Sequence, residues 1–417
     1  MEDTMESKTP YSKMKNSSTS PEIEQKMVEI NDSDIEMGEK TRKFSFVPTL
    51  KNPAVRLYDE PEFGADVKLC LKSKQIFSAY EVTEGWIKVY RGTIALWIPI
   101  VSKNGEKNLQ EITEYSRYEL WPGANFICCG GKVMLGSDTW ILFFTNLVII
   151  IPFALFLTFC VPYLPDPANY LLGFVGSLIF VSSMYYLWKT ALTEPGIIPR
   201  NPPTMNVPPP VPEEELTAQG YRFCDTCNIY RPKRAKHCSS CNNCVDEFDH
   251  HCPWVGTCVA GRNYAYFTLF VIAVGTLSIY TFACTLVSVI YVYFSTDGDD
   301  TYEISDGQGK QGRGEDFGDH IVLVFEKMKW VPLVLLVFTF VMSYTIGALC
   351  GFHLWLIKRG QTTNQYMHRQ DSLSHHEAWH QGASSRSFCY NLITLLRTRP
   401  SQSRVKDLTE KLRVDVD

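Results

Sequence analysis

The residues best able to bind metal or to react lie between Cys224 and Cys258, where seven of the fourteen cysteines of the chain are accompanied by three histidines. Four-ligand zinc sites are built from Cys and neutral His, often in pairs two to four residues apart. Three pairs have that spacing, namely Cys224/Cys227, Cys238/Cys241 and Cys241/Cys244. The stretch is therefore predicted to bind zinc.

The number of candidate ligands exceeds what two zinc sites need. Seven cysteines together with His237, His250 and His251 make ten candidates, whereas two tetrahedral sites use eight. The two side chains left over would sit beside closed metal sites, in a position to do chemistry. On count alone, a purely structural double-zinc module explains the pattern equally well.

A family resemblance separates these two interpretations. Asp249-His250-His251-Cys252, followed by Pro253-Trp254-Val255, resembles the signature of the DHHC protein S-acyltransferases, or palmitoyltransferases. The resemblance runs from Phe223 to Tyr266 and includes Pro232, Arg234 and His237. A second stretch, residues 117–138, is similar to the segment that precedes the first membrane helix in plant and fungal members of that family.

The resemblance implies two interleaved zinc sites as structural cofactors. One site takes Cys224, Cys227, His237 and Cys244. The other takes Cys238, Cys241, His251 and Cys258. His250 and Cys252 are then the two candidates left over, in agreement with the ligand count.

The resemblance also implies a reaction. A thiolate attacks a thioester, and a free cysteine with a pKa near ~8.5 is mostly protonated at neutral pH, so a neighbouring base is needed. His250 is implied as that base, with Asp249 orienting and polarising it. Cys252 is implied to take a long-chain acyl group, palmitoyl, from the co-substrate acyl-CoA and pass it to a cysteine of a protein. A solvated loop acid is the alternative role for Asp249.

Four uncharged apolar stretches predict membrane-spanning helices. They cover residues 140–161, 169–188, 265–294 and 331–357. Each reaches the roughly 20 residues that cross a bilayer as a helix. The third stretch begins seven residues after the last zinc ligand, which predicts that the zinc domain, residues 223–264, lies against the membrane face.

The distribution of Lys and Arg predicts the orientation of these spans. The turn 162–168 has none, whereas residues 191–264 have seven, and Lys358-Arg359 closes the fourth span. Basic residues concentrate on the cytosolic side. Both termini and the zinc domain are therefore expected in the cytosol, where clustered Cys and His remain reduced and metal-bound. The expected location is an endomembrane, of the Golgi or endoplasmic reticulum, or the plasma membrane.

The N-terminal part of the chain divides into two regions. Residues 1–43 are polar and charged and are expected to form a disordered cytosolic tail without a cleavable signal peptide. Residues 52–103 contain five short strand-like runs separated by Gly, Pro, Asp and Asn. This region resembles a bacterial-type SH3 module around Gly85-Trp86-Ile87-Lys88-Val89, and a β-rich extension that binds no partner is the alternative.

Three further segments lie close to the predicted spans. Residues 199–212 carry seven prolines and predict a stiff linker to the zinc domain. Cys128-Cys129 precedes the first span and is a candidate for acylation itself. In the C-terminal tail, residues 358–417, Thr362-Thr363-Asn364-Gln365 resembles the Thr-Thr-x-Glu motif of the family but has Gln365 in place of the Glu.

Together these features predict an α-helical integral membrane protein with four transmembrane helices, a cytosolic cysteine-rich double-zinc module and a small N-terminal β-rich domain. The predicted partners are palmitoyl-CoA, the lipid bilayer and proteins with cytosolic juxtamembrane cysteines. A net charge of −5 gives no indication of nucleic-acid binding. Two rival interpretations are a zinc scaffold without catalysis and a small transporter, for which only His353 supplies an ionisable side chain inside a span.

Overall fold

The structure is a computed structural model. It describes residues 42–46, 55–65, 67–71, 76–91, 94–103, 105, 108–112, 114–202, 206–295, 324, 326–368, 387–397 and 400–413. The predicted disordered tail lies outside the described residues, except that Arg42 and Lys43 begin a strand. Most of the connection between the third and fourth predicted spans also lies outside them.

The N-terminal region is a set of short antiparallel strands. These are β1 Arg42–Phe46, β2 Val55–Tyr58, β3 Val67–Leu71, β4 Ile76–Ala79, β5 Glu81–Thr83, β6 Trp86–Arg91, β7 Ile94–Pro99, β8 Leu109–Ile112 and β9 Glu114–Ser116. One sheet has the order β3-β2-β7-β6-β5 and another the order β4-β1-β8. In β7, Leu96 and Ile98 are buried while Trp97 between them is partly exposed, as the two-residue period of a strand requires.

A hairpin connects the β-rich region to the membrane helices. Its strands are β10 Phe126–Cys128 and β11 Val133–Leu135, joined across Cys129 and two glycines. The hairpin packs beside the zinc module, because the N–H of Ala124 donates to the carbonyl of Cys241 at 2.8 Å. The stretch just before the first membrane helix is therefore part of the support of the module.

Several α-helices follow in the described part of the chain. They are α1 Thr139–Phe159, α2 Ala168–Leu192, α3 Glu213–Leu216, α4 Tyr264–Ser295, α5 Val331–Arg359, α6 Thr363–His368 and α7 Phe388–Arg397. Four of them, α1, α2, α4 and α5, are long and apolar enough to cross a membrane. Each covers one of the four predicted spans, and its ends differ from the predicted ones by a few residues.

The outer faces of these four helices carry large apolar side chains. Trp140 of α1, Tyr170 of α2 and Phe340 of α5 are more than half exposed. Such a band would be unfavourable in water but suits contact with lipid. The inner faces pack on one another around a buried cluster that includes Leu142 and Phe267. The chain is therefore a multi-pass membrane protein.

The cysteine-rich module consists of very short strands between α2 and α4. They are β12 Ile197–Ile198, β13 Arg222–Cys224, β14 Ile229–Arg231, β15 Lys236–Cys238, β16 Asn243–Val245, β17 His250–Cys252 and β18 Thr257–Val259. They pair as three small antiparallel sheets, β12-β16-β15, β13-β14 and β17-β18. Strands of two or three residues bury little apolar surface, so the module depends on additional cross-links such as metal ions.

A C-terminal segment, residues 400–413, crosses the module and returns to the N-terminal region. Ser403 donates to the Glu194 carboxylate at 2.8 Å, and Arg404 pairs with Asp246 at 2.9 Å. The last strand, β19 Lys411–Arg413, pairs with β9, and Leu408 before it is buried. The segment therefore ties the end of α2, the module and the β-rich region together.

Candidate active site and metal centres

Antiparallel hairpins present the metal-binding side chains of the module in pairs. His237 of β15 pairs with Cys244 of β16, and His251 of β17 pairs with Cys258 of β18. Directly opposite residues of an antiparallel pair have their side chains on the same face, with Cβ atoms about 4.5–5.5 Å apart. Each hairpin thus presents one histidine and one cysteine to a common site.

Alternation along β15 explains why the two sites interleave. His237 and Cys238 are consecutive in the strand, so their side chains point to opposite faces. His237 groups with Cys224, Cys227 and Cys244, whereas Cys238 groups with Cys241, His251 and Cys258. Neighbouring residues of one three-residue strand therefore serve two different metal sites.

The first group has the dimensions of a tetrahedral zinc site. The sulfur atoms of Cys224, Cys227 and Cys244 lie 3.7, 3.4 and 3.7 Å from Nδ1 of His237. Bonds of about 2.3 Å to sulfur and about 2.0–2.1 Å to nitrogen place tetrahedral ligand atoms roughly 3.5–3.6 Å apart. The side chains present therefore fit a zinc ion.

The second group has the same dimensions. The sulfur atoms of Cys238, Cys241 and Cys258 lie 3.6, 3.5 and 3.6 Å from Nδ1 of His251. The structure thus brings the eight predicted ligand residues together in the two predicted sets, and these sets fit two zinc sites. In this second site the other ring nitrogen, Nε2 of His251, faces the carboxylate of Asp138.

The two remaining candidates, His250 and Cys252, lie on the face of β17 opposite to His251. They flank His251 in the strand, so the two-residue period places their side chains together. Nδ1 of His250 lies 2.6 Å from Oδ2 of Asp249, and Cys252 is near enough to the imidazole to contribute to its raised pKa. Because Nδ1 faces Asp249, Nε2 is the ring nitrogen left for the thiol. Carboxylate, imidazole and thiol therefore form one continuous row.

Burial and hydrogen bonding have opposite effects on the pKa values of Asp249 and His250. Burial favours neutral Asp249, but the hydrogen bond and charge of His250, aided by Thr363, outweigh it and hold the carboxyl pKa below its usual range. Burial likewise favours neutral His250, yet its contacts with Asp249 and Cys252 raise the imidazole pKa to about 9. The charged forms of acid and base therefore stabilise each other.

Thr363, in the segment that follows α5, holds the Asp249 carboxylate by two hydrogen bonds. Its backbone N–H donates to Oδ1 at 2.7 Å and its hydroxyl donates to Oδ2 at 2.8 Å. The N–H of Asn364 donates to the backbone carbonyl of Asp249 at 3.1 Å. With His250 included, Asp249 is a buried carboxylate with every oxygen satisfied, which a solvated loop acid is not.

Gln365, which stands where the Thr-Thr-x-Glu motif has Glu, still contacts Thr362. Oε1 of Gln365 accepts the N–H of Thr362 at 2.9 Å, and the N–H of Gln365 donates to the Thr362 hydroxyl at 3.2 Å. This reciprocal pair is a capping box at the start of α6, in which Gln serves as well as Glu. The expected carboxylate contact is replaced by an amide contact of the same form.

The membrane helices supply three side chains around His250 that the sequence did not single out for this site. The His250 ring contacts Phe267 of α4 edge-on at 5.2 Å between ring centroids and His353 of α5 at 5.7 Å. Nδ1 of His353 lies 3.1 Å from the hydroxyl of Tyr264, and both residues are buried. His353, the one ionisable residue noted inside a span, therefore packs against the imidazole of the site.

Cys252 borders the apolar interior of the helix bundle. Its side chain is 8% exposed and belongs to the same buried cluster as Leu142 of α1, Phe267 of α4 and Ile357 of α5. The reactive row is thus polar on the Asp249 side and apolar on the Cys252 side.

The cysteine-rich module and its flanking helices match a known family model. The model, described as DHHC palmitoyltransferase, matches residues 217–370. This range begins before the first zinc ligand and includes α4, α5 and the Thr362–Gln365 stretch that contacts Asp249.

Curated relatives carry names that agree with that family. Palmitoyltransferase ZDHHC14 of Danio rerio is 33% identical over 60% of this chain and 52% of its own length. Protein S-acyltransferase 8 of Arabidopsis thaliana is 31% identical over 70% of this chain and 72% of its own length. Palmitoyltransferase ZDHHC9 of Danio rerio is 34% identical over 60% and 64%. The chain thus spans between about half and nearly three quarters of the relatives it matches.

Proposed function

This chain belongs to the DHHC palmitoyltransferase family, and we propose that it moves a long-chain acyl group, palmitoyl, from acyl-CoA to cysteine thiols of proteins through a thioester on Cys252. The observation that carries the proposal is the row of Asp249, His250 and Cys252. A carboxylate that orients an imidazole beside a thiol is the arrangement that activates a cysteine nucleophile.

In the first half-reaction, the proton of the Cys252 thiol resides on Nε2 of His250, in keeping with the raised pKa of the imidazole, and the Cys252 thiolate attacks the carbonyl carbon of the acyl-CoA thioester. The bond from that carbon to the CoA sulfur breaks as the bond to the Cys252 sulfur forms. The proton held by His250 passes to the departing CoA thiolate. Asp249 stabilises the imidazolium and fixes the ring through Nδ1.

In the second half-reaction, a thiol of the protein substrate occupies the place of CoA. His250 takes its proton, and the substrate sulfur attacks the carbonyl carbon held by Cys252. The bond to the Cys252 sulfur breaks and the proton from His250 restores the Cys252 thiol. Two transfers through one covalent intermediate give ping-pong kinetics.

The zinc ligands have a positioning role in this proposal. Cys224, Cys227, His237 and Cys244 would hold one ion, and Cys238, Cys241, His251 and Cys258 would hold the other. Each ion, when bound, would supply a fixed cross-link between short hairpins whose small buried clusters include the ligand cysteines themselves. Because His251 stands between His250 and Cys252, its fixed position sets the geometry of the strand that carries both.

The apolar surroundings of Cys252 favour a long acyl chain. Leu142, Phe267 and Ile357 belong to the same buried cluster and come from three different membrane helices. Each CH₂ group buried among such side chains contributes about 0.8 kcal/mol to binding. An acyl chain on Cys252 is therefore expected to extend between the helices while CoA remains in water.

Basic side chains of the module are positioned to attract the CoA phosphates. Lys236 donates to Oδ1 of Asn364 at 2.8 Å, and Asn364 contacts the backbone of Asp249, so a positive charge lies beside the reactive row. Within the described residues, the buried Nε of Arg231 has no hydrogen-bond partner. Arg and Lys are the usual partners of phosphate groups.

The proposal extends to the orientation of the chain and to its substrates. We propose that both termini and the module face the cytosol, in an endomembrane of the Golgi or endoplasmic reticulum or in the plasma membrane. The positive-inside bias of residues 191–264 supports this orientation. Protein cysteines close to the cytosolic membrane surface are the substrates that a membrane-bound Cys252 reaches. A glycosylation acceptor inserted in the turn 162–168 tests the orientation, because it should be glycosylated.

A labelling experiment tests the proposed function. The purified full chain is incubated with a labelled palmitoyl-CoA analogue, denatured and treated with neutral hydroxylamine, and wild type is compared with Cys252→Ser. Cys129→Ser serves as the control, because Cys129 is an exposed cysteine outside the row. A hydroxylamine-labile label is expected on wild type and Cys129→Ser and is expected to be absent from Cys252→Ser.

The other outcomes point elsewhere. Equal label on wild type and Cys252→Ser would place acylation at another cysteine, such as Cys128 or Cys129, and would contradict the proposed intermediate. An unlabelled chain that still holds two zinc ions would favour the scaffold interpretation over catalysis.

A further inference from the structure

We propose that Asp138 is a positioning residue of the second zinc site, and that through His251 it couples the start of the first membrane helix to the strand that carries the reactive row. Oδ2 of Asp138 lies 2.5 Å from Nε2 of His251. The inference deepens the proposed function and rests on its zinc sites, but its test does not require acyl transfer.

The contact assigns a role to each nitrogen of His251. Nδ1 faces the sulfur atoms of Cys238, Cys241 and Cys258 at 3.5–3.6 Å, so its lone pair belongs to the metal site. A neutral imidazole with its lone pair on Nδ1 carries its proton on Nε2. Nε2 therefore donates to the Asp138 carboxylate. A carboxylate that accepts the second N–H of a zinc-binding histidine fixes the ring orientation and raises the basicity of the ligand nitrogen.

The chain holds Asp138 in this place by its backbone. The Asp138 N–H donates to the carbonyl of Gly256 at 3.3 Å, and its own carbonyl accepts the N–H groups of Ile141 and Leu142 in the first turn of α1. Gly256 belongs to the turn between β17 and β18. The carboxylate is thus anchored both to the helix and to the hairpin that carries His251.

The approach of the two segments requires a residue without a side chain. A Cβ on Gly136 would lie 2.1 Å from the carbonyl oxygen of Gly256 and 2.5 Å from Cα of Thr257. Such distances are not tolerated, so Gly136 allows α1 to begin directly against the hairpin. Ser137, the residue between Gly136 and Asp138, lies 3.8 Å from the sulfur of Cys241. Three consecutive residues therefore contact the second metal site or its hairpin.

The consequence for the reactive row follows from the order of residues in β17. His251 stands between His250 and Cys252, so an error in its orientation shifts both. The carboxylate of Asp138 faces His251, which belongs to the metal site and not to the reactive row. Its effect on the reaction passes entirely through the metal site, which makes zinc retention the direct measurement.

The test compares zinc release from full-length variants in detergent. Asp138→Ala removes the carboxylate, Asp138→Asn keeps an acceptor oxygen of the same size, and Asp166→Asn changes an exposed acid in the turn after α1. The rate of zinc transfer to a colorimetric chelator is measured together with the number of zinc ions initially bound. Loss of a carboxylate partner of a zinc-binding histidine typically costs about 10- to 100-fold in metal affinity.

We expect Asp138→Ala to release zinc at least about tenfold faster than wild type, with Asp138→Asn intermediate and Asp166→Asn unchanged. Hydroxylamine-labile labelling of Cys252 should fall in the same order. Zinc release from Asp138→Ala at the wild-type rate would overturn the proposal, even if labelling were reduced. If wild type itself were not labelled, the proposed function would be contradicted, whereas the zinc-release rates would still test the role of Asp138.

Discussion

Thr363 and Asp249 are joined by two hydrogen bonds, one from the backbone N–H at 2.7 Å and one from the hydroxyl at 2.8 Å, although they are 114 residues apart in the sequence. Two membrane helices, α4 and α5, lie between them in the chain. The short stretch after α5 therefore contacts a reactive row whose three residues all precede α4. This link makes the geometry of the reactive row depend on how the fourth membrane helix is seated.

Replacement of Thr363 by Val should slow formation of the acyl-enzyme by about tenfold. Valine keeps the branched shape and the backbone N–H but removes the hydroxyl, and a hydrogen bond to a charged group is worth about 1.5–3 kcal/mol. Single-turnover labelling of Cys252 measures the change. Thr363→Ser retains a hydroxyl and should stay close to wild type. Equal rates for the Val and Ser variants would show that the hydroxyl contributes nothing.

Replacement of Asp249 by Asn should reduce acyl-enzyme formation far more, by about 10⁴-fold, as in hydrolase triads in which the acid that orients the histidine is changed to its amide. The amide cannot stabilise an imidazolium and offers an N–H₂ group where Nδ1 of His250 requires an acceptor. Two zinc ions per chain should remain bound, because Asp249 is not in either ligand set. Loss of zinc from this variant would mean that Asp249 acts by maintaining the fold.

Gln365 should tolerate Glu but not Ala. Gln365→Ala removes the acceptor of the Thr362 N–H and leaves a buried donor unpaired, which should cost about 1 kcal/mol of stability and slow labelling severalfold. Gln365→Glu restores a carboxylate acceptor and should match wild type in both measurements. Thermal unfolding in detergent and the initial labelling rate test this pair. If Gln365→Ala behaved like wild type in both measurements, the capping box would contribute neither to stability nor to the labelling rate.

Leu408→Ala should destabilise the protein by about 2 kcal/mol, because this side chain is buried where the C-terminal segment crosses the juxtamembrane region. Gln402→Ala, an exposed neighbour in the same segment, should have no measurable effect. Thermal unfolding and the rate of proteolysis of residues 400–413 provide the comparison. Similar stability of the two variants would show that the segment is held by its polar contacts to Glu194 and Asp246, and by the ion pair of Arg117 with Glu410, rather than by burial.

The sequence predicted those parts of the site that depend on local spacing. The short cysteine spacings predicted that the stretch binds zinc, and the length of the membrane helices made them recognisable. The division of the ligands into two interleaved sets came from the family resemblance and not from spacing. The contacts of Asp138, Thr363 and His353 were not predictable, because each residue comes from a different element and only the packing of α1 and α5 on the module brings it to the site. An acid immediately before an apolar helix was the one sequence signal for Asp138, and capping the helix explained it equally well.

The β-rich region was predictable in kind but not in extent. The five runs predicted from the sequence correspond to β2, β3, β4, β6 and β7. Strand β1, with the sequence Arg-Lys-Phe-Ser-Phe, follows a charged tail and pairs with β4 and β8 from distant positions. Its pairing partners, rather than its own composition, make it a strand.

The alternation of His237 and Cys238 in β15 has a consequence for how the protein is assembled in the cell. His237 and Cys238 are adjacent in one strand but belong to different ligand sets. Binding of one ion would therefore fix the strand that also carries a ligand of the second site. Uptake of the two ions is then cooperative, and half-loaded chains should be scarce at equilibrium. Substitution of any one of the eight ligands should accordingly reduce the amount of folded protein. Substitution of Asp249, His250 or Cys252 should instead change the reaction while leaving the protein folded.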